Sequence, residues 1–212
     1  MVSELAAGGI PYRSSLSSER HRSVLLSETG RDLQGKIRIL IEGDCSAEHK
    51  NVDESFRIVE QLDLEKFEIW YMSYNGNPKS WYRVDRFLHR VPYEKTPEVY
   101  AACDILLKTS LLESFSYPPL EMMASGGYVV AVPNGGNLEY LKDGENCILY
   151  PQGNLAEAKA AIERILTDAE LRKKLGYGSR RDGKGKKLEK NRTTDFRTVS
   201  WKINKQQKGL SH

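Results

Sequence analysis

The stretch DILLKTSLLESFSYPPLEMMASGGYVVAV, residues 104–132, decides the fold. It opens on a short apolar run, Asp104 to Leu107, and closes on another, Tyr128 to Val132. Between them, Pro118-Pro119 predict a helix start, because a proline N–H would be unpaired there anyway, and the helix is expected over about 118–124. Strand, turn, helix, strand is the repeating unit of a parallel sheet covered on both faces.

Working outward, the same alternation continues. Ile37 to Ile41 reads as a buried strand closed by Glu42-Gly43-Asp44. Val52, Phe56, Val59 and Leu62 recur at helical spacing and predict a helix over 51–62. Phe67 to Met72 and Phe87 to Val91 are the second and third strands, the latter the weaker. Thr96 is the expected cap of a short helix running to Cys103, with Pro97 at its first position. One helical turn is expected at 137–141 and a sixth strand at 147–150. Leu155, Ala158, Ile162 and Ile165 mark an amphipathic helix capped by Asn154. The expected fold is α/β: a doubly wound, Rossmann-like parallel sheet over residues 36–176. In such sheets ligands bind beyond the carboxyl ends of the strands. That directs attention to Gly43–Lys50, Glu113–Glu121 and Pro133–Glu139.

Composition narrows the classes of function. No run approaches the roughly 18 apolar residues of a membrane span. Residues 1–28 lack the layout of a secretory signal. Cys45, Cys103 and Cys147 form neither a disulfide framework nor a metal motif, so a reducing cytoplasm is the expected location. The four histidines are scattered, and no metal site is expected. The formal charge of +3 is uneven: residues 177–212 hold 11 Lys and Arg against 3 Asp and Glu, leaving 21 basic and 26 acidic residues elsewhere. The body therefore offers no electrostatic reason to bind nucleic acid or membrane.

Within the decisive stretch, Glu113 follows a strand and Glu121 falls within the first turn of the expected helix. The backbone N–H groups of Phe115, Ser116 and Tyr117, aided by the helix dipole, form an anion site suited to a diphosphate. A carboxylate at Glu121 can accept hydrogen bonds from ribose hydroxyls beyond it. On this segment alone, a structural helix start with two surface acids fits equally well.

The segment resembles the Glu-x7-Glu motif of the family-4, or group 1, retaining glycosyltransferases. The flanking runs resemble the same family: Glu98 to Asp104, Met122 to Gly127, Gly135 to Glu139 and Leu141 to Asn146. The likeness covers about residues 36–175, the C-terminal, donor-binding half of the GT-B fold. It implies transfer of a sugar from a UDP-, dTDP- or GDP-linked donor with retention. No metal or further cofactor is implied. Glu113 would lie by the transferring sugar, Glu121 on the ribose, and the Phe115–Tyr117 backbone on the diphosphate, with Ser116 where glycine is usual. Gly43 would end the first strand, and Lys50 would neutralise the diphosphate. The family's usual arginine after that glycine is here Asp44; Lys79, Arg83 and His49 are candidate substitutes.

Residues 1–35 read as an unpatterned lead-in, too short for the acceptor-binding half that would meet a glycan or lipid-linked acceptor. The chain is therefore expected to be a fragment, either an inactive nucleotide-binding remnant or one subunit of a split enzyme. Peripheral membrane association follows only from the family. The basic tail 177–212 has two readings. One is a basic arm for nucleic acid or anionic lipid. The other is a frameshift near Leu175 to Tyr177: back-translation one base later permits DMAVAEMAKERNWKKIEPQILELYHGKL, which has helical apolar spacing.

Overall fold

The computed structural model describes residue 33 and residues 35–178. Of the expected tail 177–212, residues 179–212 lie outside the described residues, as does nearly all of the lead-in, of which Leu33 packs against the core. Six strands form one sheet: β1 (Ile37–Glu42), β2 (Phe67–Ser73), β3 (Arg86–His89), β4 (Ile105–Lys108), β5 (Tyr128–Ala131) and β6 (Ile148–Leu149). Their order is β3-β2-β1-β4-β5-β6, and every pairing is parallel. The register places Ile39 beside Ile69 on one flank and beside Ile105 on the other.

Alternate residues of these strands enter two separate cores, because successive side chains point to opposite faces. Ile37, Ile39, Ile41, Ile105, Leu107, Tyr128 and Val130 pack on one face with α1 (Val52–Val59) and α4 (Leu155–Thr167). Leu40, Leu106, Val129 and Ala131 pack on the other with α2 (Thr96–Ala102) and α3 (Tyr117–Ala124). A strand buried on both sides reads as a continuous apolar run, which is why β1, β4 and β5 stand out in the sequence.

Several boundaries differ from expectation. The first helix ends at Val59, and β3 begins one residue early and stops at His89. Thr96 does not cap α2: it is the helix's first residue, and its hydroxyl donates to the Tyr93 carbonyl at 2.8 Å. Because α3 starts at Tyr117, Glu121 lies just past its first turn. Asn154 does cap α4, accepting from the Glu157 N–H at 3.2 Å. A further helix, α5 (Ala169–Gly178), has no counterpart in the sequence reading; Leu171 and Leu175 pack against the core, and Arg172 donates to the Ile165 and Leu166 carbonyls at 2.8 Å and 2.9 Å.

Strand order reverses between β1 and β4, which are neighbours although β1 leads to β2 and β4 to β5. Chains leaving the two strands depart in opposite directions and open a crevice at their carboxyl ends. The residues singled out in the sequence fall there.

Candidate functional site

The crevice begins with Gly43, directly after β1. Its φ of 146° lies in a region that favours glycine, and a Cβ there would meet Val52 Cγ2 at 3.2 Å. The turn leads into a short 3-10 helix, Glu48–Lys50. That segment is stitched to the chain leaving β4: the Leu111 N–H donates to the His49 carbonyl at 2.8 Å, and the Thr109 hydroxyl to the Asn51 carbonyl at 2.8 Å. Lys50 is thereby brought to Glu113, with Nζ 2.8 Å and 3.0 Å from the two carboxylate oxygens.

A second lysine reaches the same carboxylate. Lys108, the last residue of β4, is 1% exposed, and its Nζ lies 3.5 Å from Glu113 Oε1. The same ammonium sits 2.5 Å from Glu42 Oε2 and 3.1 Å from the Glu42 carbonyl. Charges thus alternate along a row: Lys50, Glu113, Lys108, Glu42. Burial pushes the Glu113 carboxyl up, but the Lys50 hydrogen bond and the charges of both lysines outweigh it and hold it below the usual carboxylate range. The sequence reading missed Lys108. Its only signal is a lysine ending an otherwise apolar strand.

The turn after Glu113 is fixed from several sides. Ser116 adopts φ 60°, ψ 74°, a left-handed conformation that costs a non-glycine residue ~1–2 kcal/mol. The Tyr140 hydroxyl donates to the Ser116 carbonyl. Gly136 presses on the turn's main chain, where a Cβ would come within 2.3 Å of the Glu113 carbonyl oxygen. Gly136 is itself held by Asn134 and Asn137. The Asn134 side chain accepts from the Gly136 N–H at 3.1 Å and donates to the Ser110 carbonyl at 2.8 Å. Fully buried Asn137 donates to the Val132 carbonyl at 2.9 Å. The result is a rigid turn whose Phe115, Ser116 and Tyr117 N–H groups donate to no partner among the described residues. Pro118 and Pro119 have no N–H, so these three are the donors offered at the start of α3.

Glu121 follows on α3, one turn past its start. Burial pushes its carboxyl above the usual range; the charge of Glu42 adds to this, and a hydrogen bond from the Tyr100 hydroxyl opposes it. Burial pushes the Tyr140 phenol up, and the charges of Glu113 and Glu121 add to this. Tyr100, buried in α2, and Tyr140 are further site residues that residue type alone did not reveal.

The proposed replacements for the absent arginine do not converge here. Arg83 donates to the Phe67 carbonyl at 2.9 Å, at the opposite end of β2. Lys79 pairs with Asp53 at 2.7 Å. His49 is exposed and contributes its carbonyl. Nor is Asp44 a loose charge facing an anion: its carboxylate turns back onto its own loop, accepting from the Ser46 N–H at 2.9 Å and the Ser46 hydroxyl at 2.7 Å. Among the described residues no cluster of three or more His, Cys, Asp or Glu is arranged to hold a metal ion. No described helix is long and apolar enough to cross a membrane.

Comparison with known proteins follows the same lines. Residues 85–182 match the model of the family described as Glycosyl transferases group 1. The D-inositol 3-phosphate glycosyltransferase of Corynebacterium aurimucosum is 28% identical over 146 residues, covering 69% of this chain and 31% of that protein. The O-antigen biosynthesis protein RfbC of Myxococcus xanthus is 32% identical over 152 residues, 68% of this chain and 12% of that protein. The chain therefore spans less than a third of either relative. Among solved structures, Anabaena HepE in complex with UDP-glucose superposes with a TM-score of 0.62 at 19% identity, over 82% of this chain and 49% of that one. The C-terminal domain of the group 1 glycosyltransferase LpcC from Francisella tularensis gives 0.56 at 20% identity, over 69% and 84%. At such identities the structural likeness speaks for the fold. Over residues 85–182 the chain carries the group 1 glycosyltransferase pattern, and its described residues have the fold of a GT-B C-terminal domain.

Proposed function

We propose that this domain binds the nucleoside diphosphate of a sugar donor and serves a glycosyltransferase that moves the sugar to an acceptor with retention of configuration. The observation that carries the reading is the turn at Phe115–Tyr117, with three unengaged amides between an ion-paired Glu113 and a half-buried Glu121. Amides at a helix start complement a diphosphate. Lys50, at the mouth of the same crevice, supplies a positive charge for the departing phosphate oxygen, and such charges can contribute orders of magnitude in rate. Glu121 accepts from the ribose hydroxyls, and Glu113 lies toward the sugar.

The Anabaena HepE complexes hold UDP and UDP-glucose, which supports a uridine donor as the first to test. The acceptor is presented by groups outside the described residues. Three thiols without a disulfide, two of them buried, support a reducing, cytoplasmic setting.

Calorimetric titration of the chain with UDP, GDP and dTDP tests the reading. One nucleotide should bind, and Glu121→Ala should weaken it by ~1–3 kcal/mol through loss of a buried acceptor. Absence of binding by all three would overturn the assignment.

A further inference from the structure

Glu113 touches two ammonium groups of different character. Lys50 comes from the loop after β1, and its side chain is 25% exposed, so it can swing toward a ligand in the crevice. Lys108 is locked at the end of β4 by the Glu42 carboxylate, the Glu42 carbonyl and Glu113. A diphosphate in the crevice competes with Glu113 for Lys50. If Lys50 were the sole counter-ion, its departure would leave a half-buried carboxylate unpaired beside an incoming anion, and the exchange would be opposed. Of the cations proposed to replace the missing arginine, Arg83 and Lys79 are engaged elsewhere and His49 is exposed, so the burden falls on a group already behind Glu113.

We propose, resting on the donor-site reading above, that Lys108 is a positioning residue whose ammonium stays as the counter-ion of Glu113 when Lys50 turns to the donor diphosphate. Glu42 holds Lys108 in place from the other side. The titratable groups that bear on Glu113 are Lys50 from the loop after β1, Lys108 from β4, and Tyr140 from the turn after β5. Glu42 on β1 reaches it through Lys108, and Glu121 on α3 shares Tyr140 with it. Without Lys108, Glu113 would cling to Lys50, and a proton on Glu113 would be needed to release it.

Removing Lys108 alone strands Glu42, so the informative variant is Lys108→Met with Glu42→Gln, which leaves neither member of the buried pair charged. Glu42→Gln alone is the control. The Glu113 carboxyl is followed by carbon NMR in the full chain, assigned through Glu113→Gln, in a Lys50→Ala background that imitates the departed lysine. The titration midpoint should stay at or below that of an ordinary glutamate while Lys108 is present. It should rise at least tenfold in proton affinity once Lys108 and Glu42 are replaced, and should not rise with Glu42→Gln alone. In chains retaining Lys50, affinity for UDP-glucose, whose capped diphosphate has no proton to lose in this range, should be level between about pH 6 and 8 for the parent. For the Lys108→Met/Glu42→Gln chain it should be about tenfold weaker at pH 8 and recover as pH falls through the raised Glu113 midpoint. A Glu113 midpoint unmoved by loss of Lys108, or fully raised by Lys50→Ala alone, overturns the proposal. Failure of the parent chain to bind UDP, GDP or dTDP instead overturns the donor-site reading, and the NMR titration still decides the role of Lys108.

Discussion

Gly135 and Gly136 are adjacent, yet alanine should be tolerated at the first and damaging at the second. At Gly136 an added Cβ would lie 2.3 Å from the Glu113 carbonyl oxygen, 2.8 Å from the Glu113 carbonyl carbon and 2.8 Å from the Phe115 nitrogen. Ordinary contact begins near ~3.5 Å. All three atoms are main chain, so no rotamer change relieves the overlap. Either the turn or the Asn134–Asn137 segment must move, and the latter is pinned by its asparagine hydrogen bonds. Overpacking of this kind costs ~1–3 kcal/mol. At about 2 kcal/mol the thermal midpoint of a domain this size should drop by ~4–8 °C. Displacing the Phe115 amide should also cost nucleotide affinity about tenfold, or ~1.4 kcal/mol. At Gly135 no atom lies within 4 Å of the added carbon and φ is not positive, so Gly135→Ala should change stability by less than ~0.5 kcal/mol. Thermal denaturation and UDP calorimetry on the two variants provide the assay. Indistinguishable behaviour would refute the claim that Gly136 sets the turn.

Three other outcomes follow from neighbouring groups. Ser116→Gly exchanges left-handed strain of ~1–2 kcal/mol for a backbone entropy cost of ~0.5–1 kcal/mol, so urea denaturation should show it neutral or up to ~1 kcal/mol more stable. Tyr140→Phe removes the hydroxyl that holds the Ser116 carbonyl and should cost ~0.5–1.5 kcal/mol in the same assay. The Glu113 carboxyl is held below its unfolded value, so its ion pairs add stability above the unfolded midpoint near ~4.3, and that stability is lost as pH falls through the folded midpoint. The parent's advantage over Glu113→Gln should therefore be complete at neutral pH and shrink on acidification. An advantage that grew toward acid would contradict the assigned shift.

What the sequence made legible was the part governed by local pattern. β1, β4 and β5 announce themselves because burial on both faces forbids polar interruption, and Pro118-Pro119 mark a helix start because proline has no N–H to lose. The positions of Glu113 and Glu121 followed from that alternation and the motif. Missing were contacts between segments far apart in the chain. Lys108 carries no signal of its role in the sequence, because its partner Glu42 lies 66 residues earlier. Tyr100 and Tyr140 are apolar-face residues by pattern, and only the packing of α2 and the β5 turn against α3 turns their hydroxyls to Glu121 and Ser116. Asp44 looked hostile to an anion because its hydrogen bonds to Ser46 are a matter of loop geometry that residue type does not encode. Helix α5 escaped because two leucines four apart, Leu171 and Leu175, are too few to establish a period.

The most direct test is whether main-chain N–H groups at one turn grip phosphate oxygens. Amide proton–nitrogen NMR spectra of the labelled chain should be recorded during titration with UDP and, separately, with uridine. The Phe115, Ser116 and Tyr117 amides should move strongly downfield with UDP and stay near their starting positions with uridine, because the nucleoside carries no diphosphate. If UDP saturates the chain while those three amides remain unmoved, the anion is held elsewhere and the account of this site is wrong.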